Sequence, residues 1–238
     1  MTILWLTTWF ASMAQLQEAE QEYYNWFDGI TGVENSNLYE GTLTVENYAL
    51  EKGSHRFFES PNYLVGSIVY DDQAYFGISM KYDIYEDELL LGLRSDSGIK
   101  LLQLIKDRVR EFTIDGRRFR NMGCGMDEQA HGSGFYEVLQ ENASFSFLKK
   151  HYKEKFSKYG KNRVFHKFTD MTKYFLVYKN HCYTIKSKKD IFKIFPHFRT
   201  ELKSRSLGKS RARDEAYLTR LLQTVDYLIS NEKTTSPE

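Results

Sequence analysis

The sequence predicts an α+β protein that is mainly β, in which an antiparallel meander sheet is followed by C-terminal helices. Two patterns favour this class. Short runs rich in Val, Ile, Tyr and Phe alternate with turn residues from Leu38 onward, and an amphipathic helical pattern follows only near the end. With 41% hydrophobic and 16% aromatic residues in 238, the composition is that of a globular protein. The pattern leaves open whether the sheet curls into a half-barrel.

Residues 1–14 are predicted to be a secretory signal peptide. The run Ile3–Phe10 is apolar apart from two threonines, and it is shorter than the roughly 20 residues that cross a bilayer. The small residues Ser12 and Ala14 suit cleavage before Gln15. No Lys or Arg precedes the run, so a buried amphipathic segment is the alternative. We therefore expect an extracytoplasmic location, in the periplasm or at the outer membrane, with no transmembrane span.

Residues 15–37 are predicted to form a helical lead-in, and residues 38–186 form the β body. The turns in this body are too short for crossover helices, so neighbouring strands are expected to be antiparallel. Alternation of Ile78, Met80 and Tyr82 with polar residues predicts one buried face. The predicted strands are Tyr39–Val45, Gly66–Tyr70, Tyr75–Tyr82, Glu88–Leu93, Ile99–Ile105, Val109–Ile114, Arg117–Met122, Gly134–Leu139, Ser144–Tyr152, Val164–Phe168, Tyr174–Tyr178 and Cys182–Ile185.

Two segments of the body are predicted to be connections. Glycine and polar residues in 123–133 indicate a long loop that divides the body into two halves, forming either one sheet or a sheet and a smaller companion. The lysine-rich stretch Lys153–Arg163 indicates a second connection.

Residues 187–231 are predicted to be helical. Ser187 and Asp190 have the spacing of a capping box, and Pro196 must interrupt the helix that follows. Apolar residues recur at intervals of three and four through Asp214–Ser230, which is the pattern of an amphipathic helix packed on the body. Residues 232–238 are predicted to be a flexible tail.

The chain carries no recognisable catalytic motif, so we predict no catalytic residue, metal or cofactor. It contains no Gly-x-Ser-x-Gly or P-loop motif, and its six histidines never pair at metal-binding spacings. The acidic runs Asp71-Asp72 and Glu86–Glu88 lie at predicted turns, where carboxylates are favoured for backbone reasons. Cys124 and Cys182 are either one disulfide of an exported chain or ordinary buried thiols.

Charge is unevenly distributed along a chain whose net charge is only +1. Twenty Lys or Arg and four Asp or Glu lie between Lys149 and Arg213, a net charge of +16, whereas the remainder carries −15. Either these two blocks face one another, or the basic block binds an anionic partner. The predicted binding residues are Lys149, Lys150, Tyr152, Lys153, Lys155, Tyr159, Lys161, Arg163 and Lys167. The alternative is that the rings of this region form a core and the lysines its solvated face.

Several blocks of the sequence resemble those of an uncharacterised family of exported proteins from Bacteroidota. The blocks are Leu38–Gly41, Gly66–Asp71, Lys81–Tyr85, Gly134–Leu139 and Ile185–Asp190. The resemblance spans roughly Leu38 to Leu228 and implies an extracytoplasmic, β-rich body followed by helices. It brings no catalytic residue and no ligand.

These observations favour a non-catalytic binding or assembly role at the cell envelope. The expected partner is an anionic glycan, a lipid headgroup or an acidic envelope protein, and nucleic acid is disfavoured by the predicted export. One alternative is a carrier of an apolar ligand in a cavity of a curved sheet. Another is an envelope hydrolase of glycan or peptide, with Cys124 and His131 as the residues to test. Ligand identity and oligomeric state are left open.

Overall fold

In the residues that the structure describes, eleven strands and three helices account for most of the chain. The structure is a computed structural model, and it describes residues 37–46, 48–95, 98–124, 133–160, 163–205 and 214–235. The predicted leader and nearly all of the lead-in lie outside these ranges. The strands are β1 (Gly41–Thr44), β2 (Leu64–Tyr70), β3 (Gln73–Asp83), β4 (Glu88–Ser95), β5 (Gly98–Leu104), β6 (Val109–Ile114), β7 (Arg117–Met122), β8 (Gly134–Glu141), β9 (Phe145–Tyr159), β10 (Val164–Tyr178) and β11 (His181–Ile185).

The strands form one antiparallel sheet in the order β1-β5-β4-β3-β2-β6-β7-β8-β9-β10-β11. Strands β2 to β5 follow one another through hairpins, and β6 then returns to lie beside β2. From β6 to β11 the order is again consecutive, and β1 and β11 are the two edges, so the sheet is not closed. The predicted fold class, a mainly β antiparallel meander with C-terminal helices, is confirmed.

The alternation predicted for β3 is present as a buried face. Ile78, Met80 and Tyr82 are 9%, 0% and 1% exposed, and Met80 lies opposite Leu91 of β4. On β2, Gly66 lies opposite β6 so closely that a Cβ there would sit 1.8 Å from a backbone carbonyl oxygen. Only glycine therefore allows these two strands to pair at this position.

The acidic runs lie in turns, as their spacing predicts. Asp71 and Asp72 follow β2 and have φ angles of 49° and 62°, which aspartate tolerates better than most residues. After β3, one carboxylate oxygen of Asp83 accepts hydrogen bonds from the backbone N–H groups of Tyr85 and Glu86, at 3.0 and 3.1 Å. The Asp83 carboxylate therefore holds the backbone of the turn after β3. The carboxylates of Asp71 and Asp72 instead pair with Arg108 and Arg110.

Three helices follow the sheet: α1 (Lys188–Ile194), α2 (Arg199–Arg205) and α3 (Glu215–Thr235). The predicted capping box is present, since Asp190 Oδ2 accepts a hydrogen bond from the backbone N–H of Ser187 at 2.9 Å. Pro196 falls between α1 and α2. Because α3 continues to Thr235, the predicted tail begins inside this helix. Within the described ranges, no helix is both long and apolar enough to span a membrane.

The chain divides into two compact units. The first comprises the described residues up to Arg118 together with Phe156–Phe168, and the second comprises Phe119–Lys155 and the described residues from Thr169 onward. The division therefore falls before the 123–133 segment, of which residues 125–132 lie outside the described residues.

The core of the second unit lies between its strands and the helices. Phe147, Leu176 and Leu222 are fully buried there, and the ring centroids of Phe147 and Tyr174 stack 5.8 Å apart. The other buried members are Phe145, Ile185, Ile191, Phe195, Phe198, Leu202, Leu218, Leu221 and Val225.

Candidate binding surface

Apart from Lys161, which the structure does not describe, the predicted basic and aromatic residues lie on one long hairpin formed by β9 and β10. Each strand has fifteen residues, and the backbone N–H of Gly160 donates to the carbonyl of Arg163 at 2.9 Å next to the turn. The prediction of a connection at Lys153–Arg163 is therefore wrong for most of its length, and Val164–Phe168 and Tyr174–Tyr178 belong to one strand. Charged residues lie on both faces of β9, so its sequence lacks the alternation of apolar and polar residues that predicts a strand.

Lys149 is mostly buried and contacts carboxylates within the second unit. Its Nζ lies 2.8 Å from Glu215 Oε2 and 4.0 Å from Glu137 Oε2, and its side chain is only 12% exposed. The hydroxyl of Tyr174 donates to the same Glu215 oxygen at 3.0 Å. Burial, followed by the negative charge of Glu215, raises the pKa of Tyr174 to about 12. These contacts tie the start of α3 to the sheet.

Lys150 and Tyr152 are also engaged within the second unit. The ammonium of Lys150 donates to the carbonyl of Phe135 at 3.0 Å and lies 5.0 Å from the ring centre of Tyr136. The ammonium of Lys173 lies 4.9 Å from the ring centre of Tyr152. Cation–π contacts of this kind hold the two side chains against the sheet.

Lys153 belongs to a buried polar group that sequence reasoning did not identify. It is 6% exposed, and its Nζ lies 3.2 Å from Asp170 Oδ1. On the same strand, buried His151 places Nε2 2.5 Å from Oε2 of buried Glu137, and its ring lies 5.8 Å from that of Phe119. Glu137 and His151 are fourteen residues apart, and only the β8–β9 pairing brings them together, so no local motif marks them.

The end of the hairpin, residues 156–160 and 163–168, is here called the hairpin end, and most of its side chains are exposed. Phe156 is 51% exposed, Tyr159 is 87% exposed and Val164 is 36% exposed. Arg163 and Lys167 are exposed as well. Of the other predicted residues, Lys155 is exposed just before the hairpin end, and Lys161 lies outside the described residues.

The two faces of the hairpin end differ in chemistry. Ser157 Oγ and His166 Nδ1 lie 3.2 Å apart, so these two side chains share a face with Tyr159 and Val164. The residues between them point to the other face, where the guanidinium of Arg163 lies 4.5 Å from the ring centre of Phe165. This basic-aromatic face consists of Phe156, Lys158, Arg163, Phe165 and Lys167.

The hairpin end is anchored along one edge within the first unit. The backbone N–H of His166 donates to Ala49 at 2.8 Å, and the N–H of Glu51 donates to His166 at 2.9 Å. The N–H of Phe168 donates to Ser54 Oγ at 2.8 Å. The end is thus held by its backbone and by the ring of Tyr48, which packs on His166 and buried Phe168. Lys158, Tyr159, Arg163 and Lys167 stay exposed.

The charge of the hairpin end is positive even after the ion pair between Lys158 and Glu51 is counted. Lys158 Nζ lies 2.6 Å from Glu51 Oε1, and this hydrogen bond lowers the pKa of Glu51. Both side chains are more than a third exposed, so solvent screens the pair and it adds little stability. Arg163 and Lys167 have no carboxylate partner within 4 Å among the described residues, so the local charge favours an anion.

A disulfide joins Cys124 and Cys182, with the two Cα atoms 5.4 Å apart. It connects the chain just after β7 to the edge strand β11. Cys124 is buried beside Tyr136, Leu148 and Phe175, so the bridge closes a small core on one side of the sheet in the second unit. The two cysteines lie 58 residues apart, and sequence alone left this bond open.

A buried ion pair lies at the end of β3 in the first unit. Asp83 is 1% exposed, and its Oδ2 lies 2.9 Å from Nη1 of buried Arg56. Burial raises the pKa of Asp83 to about 6, against the lowering effects of hydrogen bonds from the turn backbone and the charge of Arg56. This pair fixes the turn after β3.

The chain matches no known protein-family model, no curated protein and no solved structure. The resemblance to exported proteins of Bacteroidota stays a prediction, and function has to be inferred from the surfaces of the protein itself.

Proposed function

We propose that this protein is an exported, non-catalytic binding protein of the cell envelope that contacts an anionic partner through the hairpin end. The observation that carries the proposal is the exposure of large aromatic side chains together with cations on one short structural feature. Tyr159 is 87% exposed and lies within four residues of Lys158 and Arg163, and Phe156 is 51% exposed and lies two residues from Lys158. A ring and a cation side by side suit an anionic ligand that also offers an apolar surface.

The proposal uses only part of the predicted surface. Lys149, Lys150, Tyr152 and Lys153 are committed to contacts inside the second unit, so a partner would have to break those contacts to reach them. At the hairpin end, a partner would compete with the solvent-screened ion pair of Lys158 and Glu51 and with the contact of Arg163 on the ring of Phe165, and exposed pairs of this kind are weak. The basic side chains of the hairpin end are exposed, and the backbone hydrogen bonds to residues 49–54 hold its strands in place before a partner arrives.

The proposed location outside the cytosol is supported by the disulfide. Stable disulfides form in oxidising compartments such as the periplasm and are rare in the cytosol. The bond between Cys124 and Cys182 therefore agrees with the export that the leader predicts.

The test measures binding to dextran sulfate, a soluble polyanion, with neutral dextran as the reference. We expect the affinity for dextran sulfate to fall steeply with salt, because screening weakens contacts between exposed charges. The triple variant Lys158→Gln, Arg163→Gln, Lys167→Gln should bind dextran sulfate at least about tenfold more weakly than the unchanged chain.

The matched control removes three exposed lysines elsewhere: Lys100→Gln, Lys186→Gln and Lys203→Gln. This control has the same net charge as the hairpin variant. A difference in affinity between the two variants therefore reflects where the charges lie and not how many there are. Equal binding by the two triple variants would contradict the proposal.

A further inference from the structure

We propose that the anionic partner is an acidic polysaccharide, whose sugar units stack on the ring of Phe156 while their acid groups contact Lys167 and Arg163. This inference rests on the proposed function and specifies its partner. Cations alone would fit any polyanion, so the choice between partner classes depends on the exposed aromatic ring that lies among them.

A ring and a cation lie opposite each other on the basic-aromatic face. The contact between Ser157 Oγ and His166 Nδ1, at 3.2 Å, sets the register of the two strands, and the backbone hydrogen bond next to the turn agrees with it. In this register the next pair along is Phe156 opposite Lys167, and the Cβ atoms of such pairs are about 5 Å apart. A sugar unit stacked on the Phe156 ring therefore brings an acid group on its rim within reach of the Lys167 ammonium.

The ring of Phe156 is available to a ligand and loses little freedom on binding. It is 51% exposed, and the backbone of the hairpin end is anchored to residues 49–54. An aromatic side chain has only two torsions to fix, so it offers contact area at a low cost in conformational entropy. The C–H face of a sugar ring packs flat on an aromatic ring, whereas a carboxylate on a peptide side chain offers no flat apolar surface. The exposed ring therefore favours a polysaccharide over an acidic protein.

Arg163 is oriented to receive an acid group. Its guanidinium lies 4.5 Å from the ring centre of Phe165, and this stacking leaves the N–H groups at the edge of the guanidinium plane. A planar fork of this kind pairs with two oxygens of one carboxylate or sulfate. Lys158 already contacts Glu51, whereas Arg163 and Lys167 have no carboxylate within 4 Å in the described part of the chain. These two cations are therefore the ones that a ligand reaches first.

The spacing of the two cations suits a polymer with repeated acid groups. Arg163 precedes Lys167 by four residues, which is about 13 Å in extended backbone at roughly 3.3 Å per residue. One acid group cannot contact both cations over this distance, whereas acid groups on separate units of one chain can, and linked contacts raise the overall affinity. Tyr159, 87% exposed where β9 ends, lies beside the Arg163 end of the face, within the span of a longer chain.

The experiment compares binding of the full chain to polygalacturonate and to polyglutamate at the same concentration of carboxylate. Both probes carry a carboxylate on every unit, but only polygalacturonate carries it on a sugar ring. The unchanged chain should bind polygalacturonate about fivefold more tightly, because stacking on an aromatic ring adds to the attraction between charges. Phe156→Leu should lose most of this preference. Its affinity for polyglutamate should stay unchanged, because its cations remain.

The matched control Tyr227→Leu removes an aromatic ring of similar exposure on α3, since Tyr227 is 56% exposed. This control should keep the preference of the unchanged chain for polygalacturonate. Circular dichroism and the urea midpoint establish that both variants are folded before binding is compared.

Three outcomes would overturn the inference. If Phe156→Leu prefers polygalacturonate as strongly as the control, this ring does not stack on sugar. If the unchanged chain binds polyglutamate as tightly as polygalacturonate and the hairpin charge variant loses both, the proposed function stands and the polysaccharide assignment fails in favour of an acidic protein. If the hairpin charge variant binds polygalacturonate and dextran sulfate like its matched control, the inference and the proposed function fail together.

Discussion

Removing the disulfide should cost the protein much of its stability. Cys124 and Cys182 close a loop of 58 residues, and the loop-entropy relation gives about 4 kcal/mol for a loop of this length. Cys124 is also buried in a small core beside Tyr136 and Leu148, so the reduced thiols should remain packed and add little strain. We expect the free energy of unfolding to fall by about 2–5 kcal/mol when the bond is broken.

The assay is urea unfolding followed by circular dichroism, on protein prepared under oxidising conditions. The double variant Cys124→Ala, Cys182→Ala and the reduced unchanged chain should unfold at the same lower urea concentration. The double variant should not respond to reductant, which controls for effects of the reductant on other groups. Identical midpoints for the oxidised and reduced unchanged chain, or two free thiols in the unreduced denatured protein, would refute the reasoning.

Three further predictions concern the fold. Burial raises the pKa of Asp83 to about 6, so its contribution to stability should fall as pH rises from 3.8 to about 6; a carboxyl carbon NMR titration with its midpoint near 4 would be inconsistent with this. Leu222→Ala should lower the free energy of unfolding by about 2–5 kcal/mol in urea titrations, whereas Tyr227→Ala, at an exposed site, should change it by less than about 1 kcal/mol. Gly66→Ala should cost about 2 kcal/mol or more, because its Cβ would collide with the backbone of β6, and Gly123→Ala, with open space around its Cβ, should cost far less in the same assay.

Local patterns were sufficient for most of the fold. The alternation of Ile78, Met80 and Tyr82 predicted a buried face because the side-chain period of a strand is two, and that face is buried. The capping box of Ser187 and Asp190 marked the start of α1, because both partners lie within one turn of the chain. The return of β6 to the side of β2 had no such local signal.

The sequence grouped the candidate binding residues but did not show which of them are exposed and which have partners inside the protein. Nine basic and aromatic residues were grouped by their position along the chain. Which of them are internal depends on distant partners such as Glu215, which lies 66 residues after Lys149. Lysines in Lys153–Arg163 indicated a loop because charge masks alternation, whereas the stem of Lys153 is buried and its ammonium pairs with Asp170.

The most direct test of the account is hydroxyl-radical footprinting of the chain bound to dextran sulfate. Oxidation of Tyr159 and Phe156 should fall several-fold on binding, while oxidation of Tyr227, exposed on α3, should not change. Neutral dextran should protect none of the three. If the chain binds dextran sulfate and Tyr159 and Phe156 are oxidised as fast as in solution, the hairpin end is not the contact surface.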